Sequence, residues 1–108
     1  MTTSTLPRAL RLGDLEIQTP VVLAPMAGVT NASFRRLSRS YGGALYVSEM
    51  VTARALVEGN KNTQRMVLRA QDEPIHSVQL YGVDPVNIEK AVHILVDEVG
   101  VDHVDMNF

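Results

Sequence analysis

The sequence predicts a parallel α/β fold, and of the two ways to build one it favours a closed barrel over an open sheet. Three observations carry this expectation. Strand-like and helix-like segments alternate through four strands, beginning with the continuous apolar run "VVLA" at 21–24, which suits a strand buried on both faces. The G-x-G-x-x-G that an open dinucleotide-binding sheet needs after its first strand is missing from "APMAGVTNAS". The residues out of place in a core, among them Pro25, Met26, Gln79, Asp105 and Asn107, gather toward the C-terminal ends of strands, where a barrel keeps its chemistry.

Taken in order, residues 1–20 form an N-terminal segment in which "LRLGDLEI" (10–17) alternates about Gly13-Asp14, the pattern of a β-hairpin. After the strand at 21–24, Thr30 or Asn31 can cap a helix whose inward positions are Phe34, Leu37 and Tyr41 and which Gly42-Gly43 ends. "ALYVSEM" (44–50) reads as the second parallel strand, followed by a short helical stretch near 51–58 and a polar loop, "EGNKNTQR". "IHSVQLYG" (75–82) is the third strand, closed by Gly82. Asp84 can cap the next helix, which begins near Pro85 because a missing N–H costs little in a first turn. Ile88, Ala91, Val92, Leu95 and Val99 then fall on one helical face, Gly100 stops the helix, and "VDHVDMNF" (101–108) is the fourth strand.

Composition sets limits on what such a chain can do. With 45% apolar and 20% charged residues and a net charge of −2, it has the balance of a globular protein. No run nears the roughly 18 apolar residues of a membrane span, and "MTTSTLPRALRLG" lacks the apolar centre of a secretory signal. A cytoplasmic location without a membrane partner is therefore expected. The absence of cysteine excludes disulfides, thiolate metal sites and any cysteine nucleophile or acid within these residues. The three histidines lack metal-ligand spacing, so no metal is expected. Charge is unevenly spread: residues 1–70 hold nine Lys/Arg against four Asp/Glu, and residues 71–108 one against eight. Arg35, Arg36, Arg39, Arg54, Lys61, Arg65 and Arg69 can form an anion-facing patch or simply solvate helix faces.

Strand periodicity sorts the polar residues. It puts His103, Asp105 and Asn107 on one side of the fourth strand, toward a barrel interior, and Val104 and Met106 on the other, beneath the helices. His103, at the strand's start, is expected to be structural; Asn107 is the better candidate for ligand binding, and Asp105 can equally accept backbone hydrogen bonds. Gln79 shares a face with Ser77 and Ile75 in the third strand. Its carboxamide presents a donor and an acceptor together and can match the edge of a flavin's pyrimidine ring or a uracil, or it can be a buried glutamine satisfied by backbone. His76 points away from that face and His93 falls off the apolar face of its helix. At the end of the first parallel strand, Pro25 fixes an extended exit, while Ala27 and Gly28 leave room for a flat ring against the backbone, with Met26 sulfur available to pack on it.

Together "LAPMAGVTNASFRRL", "YVSEMVTARAL", "SVQLYGVDP" and "VDMNF" resemble, in order and spacing, four blocks of the bacterial tRNA-dihydrouridine synthases, from about Val21 to Phe108. The resemblance implies an FMN-containing (β/α)8 TIM barrel with a helical C-terminal domain, which uses NADPH to reduce the C5–C6 double bond of particular tRNA uridines. It makes residues 21–108 the N-terminal half of that flavin-binding barrel, about four strands, preceded by the hairpin of residues 1–20. It implies that Pro25, Met26 and Ala27 contact the flavin, that Gln79 hydrogen-bonds its polar edge and that Asn107 lies beside the target uracil. The family's fourth-strand motif continues to Gly-Cys-Pro, whose cysteine protonates the substrate. The chain stops at Phe108, so no catalytic residue is expected within it and the piece alone is expected to be inactive. Two other readings stand beside this one: a small-molecule flavin dehydrogenase of the dihydroorotate or dihydropyrimidine kind, and a non-catalytic half-barrel that self-associates through open sheet edges.

Overall fold

The computed structural model describes residues 8–42, 44–70 and 72–108; the expectations for residues 1–7 and Gly43 lie outside these. The predicted hairpin is present, with β1 (Leu10–Leu12) antiparallel to β2 (Leu15–Ile17) and Leu10 opposite Ile17. The turn uses Gly13 at φ 59°, an angle that glycine adopts without a Cβ penalty.

Four parallel strands follow in chain order: β3 (Val22–Leu23), β4 (Leu45–Thr52), β5 (Ser77–Tyr81) and β6 (His103–Asn107). The connections are helical, as parallel neighbours require. They are α1 (Ala32–Arg39), then α2 (Ala53–Val57) with α3 (Lys61–Met66), then α4 (Pro85–His93), which runs on as a π-helical stretch, Ile94–Val99. Gly100 ends that stretch in the left-handed conformation, φ 83°. The chain is thus mixed α/β around a parallel four-stranded sheet whose edges are β3 and β6.

The sheet's two faces are covered differently. Val51, Val78 and Leu80 pack against Ala53, Leu56, Val67, Ala91 and Leu95 of the helical layer, with Ile88, Val92, Val104 and Met106 at the margin. The α4 stripe read from the sequence is therefore the face that meets the sheet. A second cluster joins Ile17, Leu45 and Val47 with Leu10, Leu12 and Ile75, so the hairpin covers the N-terminal part of the opposite face. The C-terminal part of that face carries the polar residues.

Three local expectations are corrected. The first parallel strand pairs only through Val22 and Leu23, and Val22 is 47% exposed, because β3 is a sheet edge and not a strand buried on both faces. In α1, Leu37 and Tyr41 are 60% and 87% exposed, Phe34 is half-buried, and the fully buried side chain is Arg35. The helix is capped by Asn31, whose Oδ1 accepts from Phe34 N at 2.9 Å, and it ends at Ser40 before the glycines. The supposed loop at 58–65 contains α3, capped by Asn60 and tied down by buried Thr63 and, just beyond it, Val67.

Candidate functional site

Parallel register between β5 and β6 aligns the polar residues in rows: Ser77 beside His103, Gln79 beside Asp105, Tyr81 beside Asn107. Because paired residues in a parallel sheet project to the same side, these rows share the face opposite Val78, Leu80, Val104 and Met106. The side chains join within rows. Ser77 Oγ and His103 Nδ1 lie 2.8 Å apart, and Gln79 Nε2 donates to Asp105 Oδ2 at 2.6 Å. Asn107 Nδ2 reaches Met50 Sδ of β4 at 3.4 Å. A thioether is a weak acceptor, so this contact leaves the Asn107 carboxamide available to a better partner.

The Gln79–Asp105 bond settles which end of the amide is held. With Nε2 facing the carboxylate, Oε1 and one N–H remain for another partner, an acceptor beside a donor. Asp105 is thus the partner of Gln79, a role that alternation alone left open between ligand and backbone binding.

The Pro25–Gly28 loop leaves the end of β3 with Met26 40% exposed and Ala27 exposed. Thr30 organises it. Its buried hydroxyl accepts from Met26 N at 2.9 Å and donates to Met26 O at 3.2 Å, while Thr30 N and Val29 N also donate to Met26 O, each at 3.0 Å. The Met26 backbone N–H and C=O are therefore both occupied. Gly28 sits at φ 71° with open space where a Cβ would point, so its backbone angle is what requires glycine. No hydrogen bond links this loop to Gln79 or Asn107 among the described residues.

Beneath the loop lies a buried ionic latch that the sequence did not reveal. Arg35 donates to Thr30 O at 2.9 Å and forms a forked pair with Glu73, Nε to Oε1 at 2.7 Å and Nη2 to Oε2 at 3.2 Å. Glu73 also accepts from Ala70 N at 3.0 Å, and Arg39 approaches it at 3.6 Å. Burial pushes the Glu73 carboxyl upward, but hydrogen bonds from Arg35 and Ala70 and the nearby positive charge outweigh it and hold the group below its ordinary value. The partners are 38 residues apart, so no local pattern announces them.

The cations are largely committed. Of the seven in the patch, Arg35 and Arg39 face Glu73, Arg36 faces Asp72, Arg54 faces Glu58 and Arg69 faces Asp102, leaving Lys61 and Arg65 without a carboxylate partner among the described residues. The patch drawn from the sequence therefore shrinks to two residues. His93 pairs with Asp97 at 3.1 Å on the surface, and His76 is fully buried, with neither ring nitrogen partnered among the described residues. Among the described residues no cluster of three or more His, Cys, Asp or Glu can hold a metal ion, and no helix is long and apolar enough to cross a membrane.

A family model described as "Dihydrouridine synthase (Dus)" matches residues 22–108. A "Probable tRNA-dihydrouridine synthase" of Mycobacterium tuberculosis (strain ATCC 25618 / H37Rv) is 49% identical over 107 residues, covering 93% of this chain and 28% of the relative. A protein of the same description from Mycobacterium leprae is 43% identical over 113 residues, 81% of this chain and 29% of the relative. "tRNA-dihydrouridine synthase B" of Pasteurella multocida is 35% identical over 98 residues, with 91% and 29% covered. The chain spans less than a third of the length of these relatives. No solved structure matches it.

Proposed function

The chain belongs to the dihydrouridine synthase family, and from that premise we propose that it is the N-terminal part of a cytoplasmic oxidoreductase that reduces uridines of tRNA to 5,6-dihydrouridine, with FMN as cofactor and NADPH as reductant. Residues 21–108 begin a (β/α)8 barrel, preceded by the segment 1–20. The two sheet edges left unpaired among the described residues support this reading, since a barrel closes by pairing them.

The observation that carries the proposal is the polar column on one face of β5 and β6, with Gln79 held by Asp105 and Asn107 one step further along. This chain fits a flavin. Gln79 offers an acceptor beside a donor to the ring's pyrimidine edge, the half-buried Pro25 and the exposed, small Ala27 offer a surface to its plane, and the exposed Met26 offers a polarizable sulfur. A flavin held there supplies the hydride chemistry that a uracil double bond needs. Asp105 keeps the Gln79 amide from turning over, Thr30 and Arg35 hold the shape of the Pro25–Gly28 turn, and Asn107 orients the uracil. The proton donor is the family's cysteine, which the motif puts after Phe108, so the 108 residues alone do not turn over.

The test is direct. The complete protein, supplied with FMN, NADPH and tRNA transcribed without modifications, should produce dihydrouridine detectable by mass spectrometry of the digested RNA. Binding should weaken steeply with added salt, as counterion release from phosphate contacts requires. Reduction of a free pyrimidine without tRNA turnover would instead support a small-molecule dehydrogenase.

A further inference from the structure

A second recess lies at the C-terminal rim, where the polar column ends at Tyr81. It is a cavity of about 410 Å³ between the starts of α2 and α4, lined by Thr52, Arg54, Tyr81, Asp84 and Asn87. Register sets Tyr81 between Thr52 of β4 and Asn107 of β6, so the cavity adjoins the position proposed for the target uracil. Neighbouring strands are about 4.8 Å apart, so a ring lying on Tyr81 sits beside whatever Asn107 holds and not on top of it.

The lining chemistry narrows the ligand. Tyr81 is 38% exposed, and its hydroxyl makes no hydrogen bond among the described residues. Arg54 already donates to Glu58 at 2.9 Å, and Asp84 brings a carboxylate whose Oδ1 accepts from Val86 N at 3.0 Å. With its one cation paired and a carboxylate facing in, the cavity does not suit a phosphate. A flat neutral group with mixed donors and acceptors does suit it: the aromatic face can stack, while the Asn87 amide and the free Asp84 oxygen can accept and donate around an edge. A uridine extracted from folded RNA leaves its neighbour unstacked, and an aromatic side chain can replace the lost stacking for any base.

We infer that this cavity is a second nucleotide subsite, in which Tyr81 stacks the unpaired base adjacent to the uridine being reduced. The inference rests on the reading above. Tyr81 is a positioning residue on this account and touches neither flavin nor target.

The experiment uses the complete protein. Tyr81→Ala should raise KM for tRNA about ten- to a hundredfold, the range typical of one lost base stack. Tyr81→Phe should behave as the native protein, because the ring and not the hydroxyl is used. NADPH oxidation by oxygen, which involves no RNA, should be unchanged in both. In parallel, tRNA carrying 4-thiouridine next to the target position should cross-link on irradiation to the tryptic segment 70–90, and Tyr81→Ala should abolish that adduct. An unchanged tRNA KM with cross-links elsewhere overturns the subsite. A raised KM for NADPH overturns it too, by assigning the cavity to the reductant. If the native protein makes no dihydrouridine, the parent reading fails separately, and the cross-link, which needs no turnover, still decides whether Tyr81 meets a base.

Discussion

Gln79 and Asp105 illustrate how one hydrogen bond turns an ambiguous residue into an oriented one. A glutamine amide can present either end, and the 2.6 Å bond to a carboxylate allows only the nitrogen to face Asp105. In the complete protein Gln79→Ala should weaken flavin retention by about 1–3 kcal/mol, roughly ten- to a hundredfold, with an unaltered circular dichroism spectrum. Asp105→Asn should weaken it less, since the amide becomes free to flip but is still present; equal FMN affinity in all three proteins would remove the pair from the site. His76 makes a second prediction at this scale. Burial pushes its imidazole below the ordinary value of 6.5, against the opposing pull of Glu73. The unfolded chain therefore binds a proton that the folded chain resists once the pH falls below about 6.5, and stability declines with acidification. Glu73 acts in the same direction lower down, because its depressed folded value makes the unfolded chain the better proton acceptor as pH passes its ordinary 4.5. The urea midpoint should fall between pH 7.5 and 5.5, and His76→Leu should flatten that part of the profile. A midpoint that rises on acidification would contradict the assignment.

At the scale of elements, α1 is held to the body of the protein by charge more than by apolar packing. Its expected apolar contacts, Leu37 and Tyr41, face solvent, while Arg35 enters the interior to meet Glu73 and Thr30 O. Arg35→Ala should cost about 3–5 kcal/mol in denaturant unfolding, because it strands a buried carboxylate. Replacing both Arg35 and Glu73 by leucine should recover most of that loss. If the single and double replacements cost the same, the latch acts by shape and not by charge. The helical face that runs from α4 into the π-helical stretch shows the opposite case, since its stripe from Ile88 to Val99 was plain in the periodicity and does pack on the sheet. Gly82, read only as a strand terminator, proves to be a packing glycine: a Cβ there would lie 3.0 Å from Ile88 Cγ1 and 3.2 Å from Ala53 Cβ. The contact joins α4 to α2, and a sequence offers no way to see two helices converge on one position.

At the scale of the molecule, the chain is less compact than its length predicts. Its radius of gyration is 15.0 Å, against about 13 Å for a self-contained domain of this size. Among the described residues the sheet has unpaired edges at β3 and β6, and Val21 and Val22 are exposed at the first of them. Open edges with apolar flanks recruit further strands. The 108 residues expressed alone should therefore elute from gel filtration as oligomers and, on the flavin-barrel reading proposed above, emerge colourless, since barrels commonly bind phosphate with loops after strands 7 and 8. A yellow monomer carrying one FMN per chain would overturn both parts of this expectation.

The sequence by itself determined the alternation of strands and helices, the hairpin about Gly13, the buried stripe of α4 and the sorting of Asp105 and Asn107 from Val104 and Met106. Each is a local matter of backbone preference or of a period two or 3.6 residues long, which a linear string records. Only the tertiary structure decided that Gln79 is oriented by Asp105, that Arg35 and Glu73 meet in the interior, that Thr30 occupies the Met26 backbone and that Tyr81 stands between Thr52 and Asn107. Apart from the local Thr30 turn, these are meetings of residues far apart in the chain, set by strand register and helix docking. The reason is physical: a buried charge or amide is defined by the partner that satisfies it, and the identity of that partner is a property of the packed molecule.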